Sequence, residues 1–375
     1  MPYQMQSPPG ARVLINGRWR DYFAGCSYLG LQGHPALIAA ATAALQTYGL
    51  GTATSRGGYG EHPLFEAVER AAARAFAAPH ALYFASGYLG NGVLLQSLRD
   101  RYDMIFVDDA AHFSVRDGAR LVGVPVVSFH HLDPDDLAAR CRQHLPPGGR
   151  PLVLSDGVFP VSGEIAPVPA YLRALADFPG ALLCLDDAHA TAVLGDHGRG
   201  TLEYWGVTAA DCYASHTASK ALGSYGGFIV GDATLVEQVR RHAGAWVGAS
   251  PPPLPAAAAT AQAIELAMDD DTLRQRLWAN VARARAGLRA LGWPLADTPV
   301  PILCLGARRQ LNAGWGPPED LASIKEELFA RDICVAHVTS YTSTPAGGAL
   351  RIAIFATHSE EQIDRLIAEI GRLVE

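Results

Sequence analysis

The chain has 375 residues, with 30 basic against 37 acidic side chains and a formal charge of −7. Apolar residues make up 49% and charged ones 18%, which excludes a disordered polymer and a basic nucleic-acid-coating protein. The length exceeds one core of about 150 residues, so two domains are expected. In chain order, the stretch up to Trp19 has no apolar core behind a basic start, so no secretory signal is expected. Apolar runs at 81–85, 104–107, 124–129, 152–154, 181–185, 212–215 and 228–230 have strand length, and helical patterns at 63–76 and 134–143 lie between them. That alternation predicts an α/β domain with a largely parallel sheet.

The segment Ser250-Pro-Pro-Pro-Leu-Pro255 predicts a break and a domain boundary. One long helix is expected over 256–290. Beyond it the pattern predicts a strand at 300–305, a helix at 320–330, strands at 333–338 and 349–355, and a final helix at 359–373. Ile363, Leu366, Ile367, Ile370 and Val374 form one stripe of that last helix, and Ser359 with Gln362 has capping-box spacing. The expected organisation is an N-terminal segment 1–48, a large domain 49–250 and a smaller α+β domain 251–375.

No run reaches the apolar length of a membrane span. The six cysteines are scattered without a C-x-x-C pair, and in an unsignalled chain they read as free thiols of a reducing cytoplasm. Among 13 histidines none has metal-ligand helical spacing, and His130 and His131 would face opposite ways on a strand, so no metal site is expected.

Only Lys220 and Lys325 among the 30 basic residues are lysines. Lys220 follows a buried-looking strand in Ser215-His-Thr-Ala-Ser-Lys220-Ala-Leu-Gly223, among small residues. Poor hydration there disfavours the ammonium and makes the amine a nucleophile toward aldehydes, which guanidinium cannot be. An arbitrary lysine is far more often surface charge, and Lys325, beside Glu326 and Glu327, reads as such a solvated residue. A second cluster, Leu183-Cys-Leu-Asp186-Asp-Ala-His189, ends an apolar strand with carboxylate and imidazole, where parallel sheets bind ligands. A carboxylate there can hold a heteroaromatic nitrogen in its protonated form. Alone, this spacing is more often a strand-end turn. The third cluster, Phe84-Ala-Ser86-Gly87-Tyr88-Leu-Gly-Asn91, is a small-residue turn whose N–H groups suit an anion, and it fits a plain strand-to-helix turn equally well.

Together, in this order, the three clusters resemble the α-oxoamine synthase family of pyridoxal 5'-phosphate enzymes, of fold type I. The resemblance extends from about Tyr22 to the C-terminus. It takes in Ser27-Tyr-Leu-Gly-Leu31, the glycine-rich 49–60 segment, Asp109-Ala-Ala-His112, Asp156-Gly-Val-Phe159, Gly163-Glu-Ile-Ala-Pro167, Leu350-Arg351 and Ala356-Thr-His358. It implies a large domain with a mainly parallel seven-stranded sheet and a smaller C-terminal α+β domain. By the same resemblance, Lys220 forms a Schiff base with the cofactor and shuttles the Cα proton. Asp186 pairs with the pyridinium nitrogen, His189 with the phenolic oxygen, and His112 stacks on the ring. Gly87, Tyr88 and Thr217 hold the phosphate, and Arg351 grips the substrate carboxylate. The implied partners are an amino acid and an acyl-CoA or acyl-carrier protein, in a cytoplasmic homodimer with shared sites, to which the Thr54-Ser-Arg-Gly-Gly58 segment contributes.

The chain departs from the family pattern at several points. Cys26-Ser27 stands where the family has Asn-Asp, altering the contact beside Arg351 on the substrate side. Pro160 replaces a serine that contacts the ring oxygen. Tyr59 replaces a small Ser or Thr and is expected to narrow the substrate channel. A leading helix with basic residues for the CoA thioester has no counterpart. These departures keep two alternatives open: a decarboxylase, racemase, aminotransferase or cyclase that uses the same cofactor without a thioester, and a catalytically silent sensor or scaffold subunit.

Overall fold

The protein is described from a computed structural model covering residues 3–311, 314–316, 319–342 and 344–374. It divides into two compact units: a larger one, Pro35–Phe159 with Ile165–Asp270, and a smaller one, Met1–His34 with Pro160–Glu164 and Asp271–Glu375. The smaller unit opens with a hairpin of β1 (Arg12–Ile15) and β2 (Arg18–Tyr22). Asn16 and Gly17 at its turn both have positive φ, the conformation a two-residue hairpin needs to match strand twist.

The larger unit then runs α1 (Pro35–Tyr48), α2 (Pro63–Ala75), β3 (His80–Phe84), α3 (Gly90–Ser97), β4 (Met104–Asp108) and α4 (Phe113–Arg120). It continues with β5 (Val126–Phe129), α5 (Pro134–His144), β6 (Pro151–Asp156), α6 (Val168–Ala174), β7 (Leu182–Asp186) and α7 (Thr201–Tyr204). Last come β8 (Cys212–Thr217), β9 (Gly227–Gly231), α8 (Ala233–His242), α9 (Gly244–Val247) and α10 (Leu254–Met268). Strands β3 to β9 form one seven-stranded sheet in the order β3-β9-β8-β7-β6-β4-β5. The pairs from β5 through β8 are parallel, and β9 is antiparallel to both neighbours. Each apolar run read as a buried strand in this region is one of the seven.

Alternation along the central strands feeds two cores. Leu152, Leu154, Leu182 and Cys184 join a cluster with Val93, Leu94 and Val239 of α3 and α8. Val153, Leu183 and Leu185 join another with Leu137, Cys141 and Tyr171 of α5 and α6. Successive side chains point to opposite faces, so a strand covered on both sides is apolar throughout. The carboxyl ends of β4, β6, β7 and β8 therefore emerge along one edge, each strand closing on a polar residue: Asp108, Asp156, Asp186 and Thr217.

Two expectations are corrected here. The single helix expected over 256–290 is two, α10 and α11 (Thr272–Ala290), interrupted at Asp269-Asp270-Asp271. Acidic groups disfavour the C-terminal end of one helix and favour the N-terminal end of the next. Helix α10 packs against α1 and α2, so the compact units part after Asp270, not at the proline segment, and Leu254 begins a helix immediately behind the prolines.

The smaller unit continues with β10 (Ile302–Gly306), β11 (Gln310–Leu311), β12 (Gly314–Trp315), α12 (Leu321–Ala330), β13 (Ile333–Cys334), β14 (Ala336–Val338), β15 (Ala349–Ala353) and α13 (Glu360–Val374). The strand expected at 333–338 is split, because β13 pairs with β2 while β14 pairs with β15. Both halves of the capping box form: Ser359 N–H donates to Gln362 Oε1, and Gln362 N–H to Ser359 Oγ. Phe23 N–H donates to Cys334 O and Ala353 N–H to Phe23 O, tying the first strands of the chain into its last ones.

Candidate active site

Lys220 sits in the tight turn between β8 and β9. Its carbonyl accepts from Gly223 N–H, while Ala218 N–H donates to Gly226 O and Ser224 N–H to Ala218 O. Thr217 Oγ1 donates to Gly226 O at 3.2 Å and accepts from Ser219 N–H. These bonds fold the turn back on the sheet edge and leave Lys220 half-buried in a cavity of about 280 Å³. Gly87, Tyr88, His112, Asp186, His189 and Thr217 line the same cavity. Seven residues singled out in the sequence thus meet in one place, all within the larger unit.

Asp186, the last residue of β7, accepts three hydrogen bonds: from Asn91 Nδ2 at 2.7 Å and Ser114 Oγ at 3.2 Å on Oδ2, and from Ala188 N–H at 3.0 Å on Oδ1. Asn91 is fully buried and is itself oriented by Ser215 Oγ. His112 caps α4, its Nδ1 accepting from Ser114 N–H, and its own N–H donates to Asp156 Oδ2 at 2.7 Å. Burial holds the His112 imidazole below its ordinary pKa, with Lys220 acting in the same sense and Asp186 against it. His189 follows Asp186 on the same turn and is buried.

The turn at Gly87 is shaped by close backbone approach. A β-carbon on Gly87 would overlap Thr217 Oγ1, and one on Gly227 would stand 2.8 Å from the Gly87 backbone. Ser86 Oγ accepts from Tyr88 N–H, capping a single 3₁₀ turn (Gly87–Leu89). The Tyr88 hydroxyl donates to Asp117 at 2.6 Å, leaving its ring at the cavity mouth. Beneath the site Asp187 is buried with Thr201 N–H on Oδ2, and Gly157 and Gly200 leave room for its two oxygens. Burial pushes the Asp187 carboxyl up to about 7.

Cys26 and Arg351 meet inside the smaller unit. Arg351, on β15, is buried. Its Nε donates to Pro160 O at 2.6 Å, Nη1 to Gly25 O at 3.0 Å, and Nη2 to Tyr28 Oη at 3.2 Å and to Cys26 Sγ at 3.7 Å. Pro160, which lacks the family hydroxyl, therefore contributes its carbonyl to Arg351. Tyr59 does not join the cavity of its own chain. It is 100% exposed, on a loop pinned beneath by Arg56, which pairs with Glu61 and Glu69 and donates to Tyr83 O.

Lys325 is corrected as well. Its side chain is only 17% exposed, and its ammonium donates to Glu326 and the Tyr3 hydroxyl and lies 4.6 Å over the Tyr3 ring. Sequence reasoning missed Asn91, Ser114 and Asp156. Asn91 and Asp156 lie within quoted motifs, but no spacing rule joins residues 95 positions apart such as Asn91 and Asp186. Among the described residues no cluster of His, Cys, Asp or Glu could hold a metal ion, and no helix is long and apolar enough to cross a membrane.

The profile of the aminotransferase class I and II family matches residues 24–370. A protein of Desulforudis audaxviator, provisionally named 8-amino-7-oxononanoate synthase, is 36% identical over 97% of this chain and 92% of its own length. The 8-amino-7-oxononanoate synthase of Methylococcus capsulatus is 34% identical over 99% and 93%. Among solved structures, the serine palmitoyltransferase of S. paucimobilis superposes with TM-score 0.89 at 25% identity, covering 99% of this chain and 92% of that one. That of Sphingomonas wittichii gives 0.87 at 29%, covering 97% and 89%.

Proposed function

This chain belongs to the aminotransferase class I and II family and, within it, to the α-oxoamine synthases, and on that premise we propose that it condenses an α-amino acid with an acyl thioester. Carbon dioxide and the free thiol leave, and an α-oxoamine is formed. The observation that carries this reading is the convergence of Lys220, Asp186, His112 and His189 on one cavity.

The cofactor is pyridoxal 5'-phosphate, and the donor set fits it. A primary amine, a carboxylate held by three donors, two imidazoles and a glycine cradle against Thr217 surround a single cavity. Bound there, the cofactor supplies a protonated pyridine ring that draws off the electron pair left when a bond at Cα breaks. Asp186 would hold the hydrogen on the ring nitrogen, and Asn91 and Ser114 keep that carboxylate aimed. His189 would pair with the phenolic oxygen, and His112 would cover the ring. Gly87, Tyr88 and Thr217 would hold the phosphate. The Lys220 amine would anchor the aldehyde carbon and move the proton at Cα. Arg351 takes the amino-acid carboxylate, with Cys26 and Tyr28 bordering the same guanidinium.

The working form is a cytoplasmic homodimer. Ile38, Leu45, Tyr48, Leu50 and Tyr59 are large apolar side chains exposed on the larger unit that a second copy would cover. The loop carrying Tyr59 then serves the partner's site. An acyl group on CoA or on a carrier protein is the second substrate.

A mass-spectrometric panel tests the reading: L-amino acids offered with and without short and long acyl-CoAs and acyl-carrier protein. The expected result is coupled release of carbon dioxide and thiol with a new α-oxoamine, lost in Lys220→Ala and kept in Lys325→Ala. A keto acid, a simple amine or an inverted amino acid without thiol release would overturn it.

A further inference from the structure

Strands β6 and β7 run parallel with Asp156 directly opposite Asp186, and paired strands lie about 4.8 Å apart. Both residues end their strands, both line the cavity, and they are 3% and 5% exposed. Two carboxyl groups so placed do not both ionise cheaply, so one of them keeps its proton. The donors around them are unequal. Asp186 accepts from Asn91, Ser114 and Ala188, whereas the Asp156 side chain accepts from His112 N–H. Hydrogen bonds donated to a carboxylate favour its charged form, so the less supported of the two, Asp156, is the one that keeps the proton. The other charged or titratable groups facing Asp156 are His112, Lys220 and Asp108. Burial and Asp186 push its carboxyl well above the ordinary range, against His112 N–H and Lys220, while Asp108 adds to the push.

We propose that Asp156 is a positioning residue of this site, an uncharged carboxyl group that keeps the proton of the Asp156–Asp186 pair and sets His112 through its backbone N–H. The pair thereby presents one negative charge, the number a single protonated heteroaromatic nitrogen requires. A second buried carboxylate would compete for that hydrogen and repel the phosphate end of the same ligand. Because Asp156 Oδ2 is the acceptor for His112 N–H, it also sets where α4 begins and the imidazole that caps it. This inference rests on the reading of the cavity as a pyridoxal phosphate site.

The test compares Asp156→Asn with Asp156→Ala. Asparagine keeps an acceptor for His112 N–H and is always neutral. Asp156→Asn should therefore bind pyridoxal phosphate within about twofold of the wild type, while Asp156→Ala loses about tenfold by leaving that N–H unpaired. Thermal unfolding of the cofactor-free proteins gives a readout independent of activity. Keeping a carboxyl protonated costs stability once the unfolded chain ionises it. Asp156→Asn should hence melt above the wild type at about pH 8 and converge with it at about pH 4. Infrared difference spectra at about pH 8 should show a carboxylic-acid C=O stretch in the wild type that Asp156→Asn removes. Asp156→Asn binding as weakly as Asp156→Ala, melting below the wild type at both pH values, or a wild type without that band would each overturn the proposal. If the substrate panel yields no thiol-releasing condensation, the functional reading fails while the melting and infrared results still decide the Asp156 pair.

Discussion

The amide of Asn91 donates to Oδ2 of Asp186 across 2.7 Å, joining α3 to the end of β7 inside the core of the larger unit. With Ser114 on the same oxygen and Ala188 N–H on the other, the carboxylate is fixed before any ligand arrives. Preorganisation of this kind matters for the proposed role of Asp186, because a carboxylate that is to hold one hydrogen must be aimed in one direction.

Asn91→Ala removes that aim without touching the ligand. A hydrogen bond to a charged group is worth about 1.5–3 kcal/mol. The cofactor dissociation constant should rise by about tenfold or more, read by absorbance titration, and the cofactor-free protein should melt at a lower temperature, because Asn91 is fully buried and its bonds to Asp186 and Ser215 exist without the ligand. An unchanged affinity would show that Ser114 and Ala188 suffice.

Gly87→Ala places a β-carbon into Thr217 Oγ1. Thr217 also braces the turn that carries Lys220, so the side chain has little room to yield. Overpacking of this kind costs about 1–3 kcal/mol. Affinity for pyridoxal phosphate should fall, and so should inhibition by inorganic phosphate. Loss of the first without the second would locate the damage at Lys220 rather than at the phosphate turn.

Arg351→Lys should raise KM for the amino acid about tenfold or more and affect KM for the thioester little. Lysine cannot reproduce a guanidinium that spans the Pro160 and Gly25 carbonyls while facing Cys26 and Tyr28. Steady-state kinetics with each substrate varied in turn separates the two effects.

Two buried groups give stability slopes of opposite sign. Asp187 is raised to about 7 by burial, so its stabilising contribution is complete below the unfolded value near 3.8 and is lost as pH rises to about 7. His216, buried against Phe228, is lowered to about 3, so its contribution is complete above 6.5 and is lost as pH falls toward 3. Relative to the wild type, Asp187→Asn should gain on going from about pH 4 to about pH 7 and stay level above, by an order of a few kcal/mol. His216→Phe should gain in the opposite direction. Thermal melts across that range check both signs.

Lys325→Ala should lose roughly 0.5–1.5 kcal/mol of stability in the smaller unit, since its ammonium is held by Glu326 and Tyr3 over an aromatic ring. Cofactor binding should be untouched. Chemical denaturation and absorbance titration on one preparation measure both.

By itself the sequence determined the strands of the large sheet, the polar residues that end them, and the place of Lys220 just beyond one of them. Those features are local: period, run length, turn chemistry and the scarcity of lysine need no knowledge of what packs against what. The Asn16-Gly17 pair, with positive φ at both residues, is a hairpin turn of the same local kind. Tertiary structure alone decided which donors reach Asp186, that Asp156 shares its cavity, and that Lys325 is half-buried rather than solvated. It also decided that α10 belongs with α1 and α2 in the larger unit, although the prolines before it look like a boundary. These are long-range facts. Asp156 and Asp186 become neighbours only because β6 and β7 pair in one register, and a carboxyl group's charge follows from burial and nearby donors, which no residue carries in its own name.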